Sequence, residues 1–201
     1  MTTQMSDAFY YEGKPYYVSA IEHPDEFFDI KQFGLTLGFA SSACWRGYIA
    51  EFAIRSNTLV LLNLHVNQPP DRDDRVEING ILPGTIKKRK RNSIFADCLD
   101  SHYYDVNLAL PYTGKTIITS ENVAKLHVNM GFQSVLCFKN VIELCFENGV
   151  FVGSEDISKE VANLRSLRES KTKEKPLDSR QWVEDCFDLS YKTKFNRGAY
   201  W

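Results

Sequence analysis

The stretch GYIAEFAIRSNTLVLLNLHV, residues 47–66, decides the fold. Tyr48, Ala50, Phe52 and Ile54 alternate with Ile49, Glu51, Ala53 and Arg55, the two-residue period of a strand that gives one face to a core. Ser56-Asn57 interrupt the run with two residues suited to a tight turn, and TLVLLNLHV resumes it, so the pair reads as a central β-hairpin.

Working outward, FYYEGKPYYVSA (9–20) reads as strand, turn, strand about Glu12-Gly13-Lys14, with Pro15 excluding a helical continuation. HPDEFFDIKQFG (23–34) predicts one short helix entered through Pro24, with Phe27, Phe28, Ile30 and Phe33 mostly on one side and Gly34 as its stop. Downstream, QPPDRDDRVE (68–77) is a charged loop, and residues 76–100 are mostly irregular. YYDVNLALPYTGKTIITSE (103–121) predicts a hairpin turning at Thr113-Gly114-Lys115. QSVLCFKNVIELCFENGVFVG (133–153) predicts a meander with its turn at Asn148-Gly149.

From Ser154 the period changes to that of a helix. Ile157, Val161, Leu164 and Leu167 form one apolar stripe over 155–169. DSRQWVEDCFDL (178–189) predicts a second helix capped by Asp178 or Ser179 and docked by Trp182. The expected fold is therefore α+β: a mainly antiparallel β sheet or partly open barrel built from hairpins, with a short N-terminal helix and two C-terminal helices. Residues 1–153 would form the β-rich core and 154–201 a helical extension packed on it.

The chain's 201 residues, with 13 Phe, 10 Tyr and 3 Trp, suffice for one core without staples. A formal charge of −2 gives no global field to recruit nucleic acid or an anionic membrane. The N-terminus lacks the pattern of a signal peptide and no apolar run spans a bilayer, so a cytoplasmic protein is expected. Five cysteines in irregular spacing suit free thiols in a reducing compartment.

Candidate chemistry is sparse. Cys44 beside Arg46 has the elements of a stabilised thiolate, yet nothing around it matches a catalytic cysteine signature, and a buried structural thiol is the simpler reading. Cys98 and His102, four apart with Asp97, Asp100 and Asp105 nearby, make only half a metal site, and no metal or other cofactor is expected. The basic run Lys87, Lys88, Arg89, Lys90 and Arg91 would contact phosphates without reading bases; a solvated loop, partly neutralised by Asp71, Asp73, Asp74 and Glu77, is the simpler reading. Phosphate loops, dinucleotide fingerprints and nucleophile elbows are absent from the sequence. Trp45 at a strand entry can bury its ring while its indole NH finds a carbonyl, Arg46 can stack on an aromatic or pair with a carboxylate such as Glu51 or Glu143, and Gly47 permits close backbone approach or a bulge.

The blocks ACWRGYIAEFAIRSNTLVLLNL, INGILP, FADC, VNLALPYTGK, HVNMGFQSV and VIELCFENGVFV, in this order over residues 40–152, resemble an uncharacterised bacterial cytosolic family whose members carry a similar Trp-Arg-Gly-Tyr motif. Cys98 departs from it, standing where the family tends to have an aromatic. The resemblance implies a cytosolic bacterial protein with a β-rich fold and carries over no catalytic residue.

These features together favour a non-catalytic protein-binding factor, such as a bacterial immunity or antitoxin-like protein that neutralises a toxic enzyme, with another protein as its partner. Trp45, Arg46, Tyr48 and His127, and the acidic loop Asp71, Asp73, Asp74 and Glu77, are its candidate contacts. The alternatives are a small-ligand or catalytic pocket lined by Trp45, Arg46 and His127, and a nucleic-acid accessory role for Lys87 to Arg91.

Overall fold

The computed structural model describes residues 2–68, 76–84, 99–169 and 179–195. The strands are β1 (Ala8–Tyr11), β2 (Lys14–Ile21), β3 (Tyr48–Arg55), β4 (Thr58–Val66), β5 (Ser101–Tyr103), β6 (Leu108–Ala109), β7 (Gly114–Asn122), β8 (Phe138–Glu147) and β9 (Val150–Asp156). The helices are α1 (Pro24–Phe27), α2 (Ser158–Glu169), α3 (Ser179–Phe187) and α4 (Tyr191–Phe195). One mixed sheet joins all the strands, and seven of them close a ring in the order β3, β1, β2, β7, β8, β9, β4, with β5 and β6 attached along β4. The chain is thus sheet-rich, with mostly short helices.

Three hairpins lie where the turn chemistry placed them. Their central residues, Glu12-Gly13, Ser56-Asn57 and Asn148-Gly149, all have positive φ, the turn whose twist matches that of paired strands. β1 joins β3 in parallel, Ala8 opposite Glu51, whereas every other strand pair among the described residues is antiparallel. Bulges in the β2–β7, β3–β4 and β8–β9 pairings add local bend to a sheet that must curve.

Alternate residues of the ring strands meet in one cluster that includes Phe9, Val18, Phe52, Leu61, Ile118, Leu144 and Phe146. A second cluster fills the opposite face of β2, β7 and β8, where Ala20, Ile117 and Val141 pack against Ile157 and Val161 at the start of α2, with Tyr191 and Phe195 of α4 alongside. Each fully buried Phe or Leu contributes about 2–3 kcal/mol, so the β-core carries most of the stability.

Four local expectations need correction. The helix over 24–33 is two pieces, α1 and a 3-10 turn Ile30–Phe33, separated by extended Phe28 and Asp29. Phe27 and Phe28 both pack on Phe52, at 4.8 and 5.5 Å between ring centroids, and adjacent helical residues cannot face one target. Gly34 does end the second piece, in the left-handed conformation. The hairpin over 103–121 does not form: β6 pairs with β4, and β7 with β2 and β8. Asp105 and Asn107 have positive φ, which breaks the alternation, and Pro111 lacks an amide for a ladder.

Strand β9 runs to Asp156, so α2 starts at Ser158 rather than 155; the Asp156 carboxylate accepts the Ser158 amide at 2.9 Å. The apolar stripe of α2 is buried at Ile157 and Val161 but exposed at Leu167. Finally, the C-terminal segment adds a third helix, α4, that the sequence pattern did not suggest.

Candidate functional site

Trp45 to Tyr48 lie where a loop enters β3, and the N-terminal segment ties that loop down. Met5 donates its amide to Ala43 O at 2.8 Å, Gln4 Nε2 donates to Ser42 O at 2.9 Å, and Gln4 Oε1 accepts the Trp45 amide at 3.1 Å. Arg46 grips Asp7 with both terminal nitrogens, Nη1 to Oδ2 at 2.9 Å and Nη2 to Oδ1 at 3.0 Å, and also reaches Met5 O and Tyr48 Oη. Its guanidinium lies 4.6 Å from the Tyr48 ring centroid and 5.1 Å from that of Phe132. Burial opposes its charge, but Asp7 and Tyr48 outweigh that and raise its pKa. The partner carboxylate is therefore Asp7, not Glu51 or Glu143.

Gly47 has φ +72, and a Cβ there would stand 2.2 Å from Gly38 O, so the close approach expected of this glycine is real. The Gly47 carbonyl accepts the Asn67 amide at 2.8 Å, which fixes the loop to the end of β4. Burial raises the Tyr48 phenol's pKa, and the neighbouring Arg46 moderates the rise.

The backbone of Trp45 is pinned in this way, but its ring is not buried as expected and turns outward. It is 47% exposed and stacks on Phe187, the last residue of α3, with centroids 5.1 Å apart and planes at 16°. Phe39 of the same loop is 67% exposed. His127 Nε2 lies 3.0 Å from Thr3 Oγ1, on the same N-terminal segment that carries Asp7, the partner of Arg46. Glu77 is exposed, whereas Asp71, Asp73, Asp74, Lys87 to Arg91 and Cys98 lie outside the described residues, and so do the contacts of the Trp182 side chain. Cys44 is buried and donates its thiol to Tyr48 O at 3.4 Å, as a structural thiol does.

Two clusters escaped the sequence reading. On the non-core face of β3, β4 and β5, His65 Nδ1 lies 2.9 Å from His102 Nδ1, His65 Nε2 lies 3.2 Å from Glu51 Oε1, and Asn63 Nδ2 donates to Glu51 Oε2 at 2.6 Å. All but Asn63 are buried, while Tyr10 and Tyr104 beside them are exposed. Burial alone would raise the Glu51 pKa, but hydrogen bonds from His65 and Asn63 hold it below the usual carboxylate range. The two Nδ1 atoms share one proton, since two N–H groups cannot face each other at this distance. Burial, then the neighbouring His65, push the His102 pKa down to about 4.

The second cluster centres on Lys194 of α4. Its buried Nζ donates to three carbonyls, those of Phe132, Asp185 and Cys186, each at 3.0 Å. Burial pushes its pKa down to about 8. Three acceptors match the three protons of an ammonium group and hold the α3–α4 segment, and with it Phe187 under Trp45, against the core. The signals for both clusters, two histidines 37 positions apart and one lysine among several, had no diagnostic spacing.

Among the described residues no helix is long and apolar enough to cross a membrane, and no group of three or more His, Cys, Asp or Glu is arranged to hold a metal ion. Comparison with family profiles, curated proteins and solved structures gives no match, so the functional reading rests on the geometry.

Proposed function

We propose that this chain is a non-catalytic protein-binding factor, acting in the cytoplasm as an immunity protein or antitoxin acts on a toxic enzyme. The observation that carries this reading is Trp45: a half-exposed indole whose backbone is fixed by Gln4 and whose ring is stacked on Phe187. Exposed tryptophans held in one orientation lose little entropy on association and are the residues on which interfaces concentrate their energy. Phe39 extends the apolar surface, and exposed Glu77 supplies charge for a basic partner.

The test is Trp45→Ala in a tagged pull-down from a nuclease-treated bacterial lysate, with mass spectrometry and size-exclusion chromatography of what co-elutes. The reading requires a stoichiometric protein that the wild type retains and the variant loses.

A small-ligand role is the second reading, and its best location moves away from Arg46, whose guanidinium is engaged by Asp7. Glu51, His65 and His102 under exposed Tyr10 and Tyr104 offer a proton-sharing chain of the kind acid–base sites use. A metabolite screen by thermal shift, with His65→Asn as control, tests it: stabilisation lost in the variant supports the role.

A further inference from the structure

Among the described residues, strand β9 is paired with β8 from end to end, apart from a bulge, and almost not at all on its other edge. It follows β8 from Val150 to Asp156. On the opposite edge, among the described residues, only Val150 has a partner, Thr58, and the last backbone hydrogen bond there is from the Phe151 amide to Asn57 O at 2.9 Å. Because the two strands are antiparallel, β9 then runs past the tip of the β3–β4 hairpin, and β4 cannot follow it. Among the described residues no backbone group pairs with that edge between Val152 and Asp156.

The unpaired run is a regular one. Beyond the bulge at Val152, Gly153 to Asp156 stay in register with Cys145 to Ile142. Val150 and Val152 are 47% and 57% exposed, and the space a side chain would occupy at Gly153 is open. A row of free amides and carbonyls beside exposed valines is a template for strand addition.

Charge selects the occupant. Glu155 and Asp156 lie on the strand and are exposed, Glu147 and Glu143 stand opposite Val150 and Glu155 on β8, and Glu12 and Asp156 both lie close enough to act on Tyr16. Lys115 neutralises Glu143, and Lys159 acts on Asp156, whose carboxylate also holds the Ser158 amide, so Glu155, Glu147 and Glu12 carry most of the free charge. A second copy of this chain would bring two such acidic runs together, which like-charge repulsion opposes.

We infer that the open edge of β9, Val152 to Asp156, is a strand-addition site for an extended segment of a partner protein in which basic residues alternate with small apolar ones. The inference rests on the protein-binding reading and gives the partner a second contact, distinct from Trp45.

The experiment is amide hydrogen exchange of the full chain with a synthetic peptide of alternating lysine and valine. An alternating glutamate–valine peptide and a lysine–valine peptide N-methylated at every second amide are the controls. The lysine–valine peptide should slow exchange at Val152 to Asp156 about fivefold or more at saturating peptide. Neither control peptide should do so, and Glu155→Lys should remove the effect. Equal protection by the glutamate peptide, protection that grows with protein concentration alone, or none at all overturns the site. Trp45-dependent capture of a protein in a complex whose β9 amides stay unprotected also overturns it, while leaving the proposed function standing. Peptide protection at β9 without Trp45-dependent capture supports the edge site and counts against Trp45.

Discussion

Arg46 and Asp7 meet through two parallel hydrogen bonds of 2.9 and 3.0 Å, and the same Asp7 carboxylate accepts the Ala50 amide at 2.8 Å. One carboxylate thereby joins the N-terminal segment, the Trp45 loop and β3. Its side chain is 7% exposed and that of Arg46 23%, so removing the arginine strands a nearly buried charge. Arg46→Ala should cost about 2–4 kcal/mol, somewhat below the range for a fully buried pair because Arg46 keeps some water. Arg46→Lys, which keeps the charge and loses the fork, should cost about half as much. Urea unfolding of both variants checks the order.

Gly47→Ala places a methyl group against Gly38 O in a backbone conformation that alanine resists. A loss of about 2–3 kcal/mol is expected from strain and contact together. Thermal unfolding is sufficient to read it, and a neutral result would mean the loop shifts freely and does not fix Trp45.

The burial of His102, with His65 beside it, gives the protein an acid limit. The folded-state pKa of His102 is about 4, against an ordinary 6.5. Between these values the unfolded chain binds the proton and the folded one does not, so stability falls as pH falls from 6.5 towards 4 and levels off below. This contribution amounts to about 3 kcal/mol over that window. In urea titrations from pH 7 to 4, His102→Gln should show a shallower decline than the wild type; parallel curves would contradict the assignment.

Lys194→Met removes the donor for three carbonyls, of which Cys186 O keeps the Phe132 amide at 2.7 Å. The orphaned carbonyls should cost about 2–3 kcal/mol. Amide exchange should quicken first in α3 and α4, and less in β3 and β4, because Lys194 holds the C-terminal segment rather than the ring.

Most of the ring was legible because it obeys local rules. Glu12-Gly13, Ser56-Asn57 and Asn148-Gly149 are turn pairs whose chemistry acts within four residues, and the alternation in Tyr48–Arg55 sends Tyr48, Ala50, Phe52 and Ile54 into the main core while Ile49, Glu51 and Ala53 are buried on the opposite face. The misread places answer to distant groups. Phe27 and Phe28 break a helix because both pack on Phe52, and Leu108-Ala109 leave their neighbour β7 for the edge of β4. At the candidate site, the close approach at Gly47 was legible from residue type, whereas the outward Trp45 ring was not, because its stacking partner Phe187 comes from the far end of the chain. Asp7 as the partner of Arg46, His65 against His102, and Lys194 at Phe132 were not, because each pair is joined only by the folded topology.

The central claim is that Trp45 presents a binding surface, and the wild type and Trp45→Ala compared in the same pull-down test it most directly. Trp45 already stands half in water, so circular dichroism and thermal unfolding should change little, by about 1 kcal/mol or less. The account predicts a stoichiometric protein partner bound by the wild type and lost by a folded Trp45→Ala. A partner retained equally by the variant, or no protein partner for either, would contradict it.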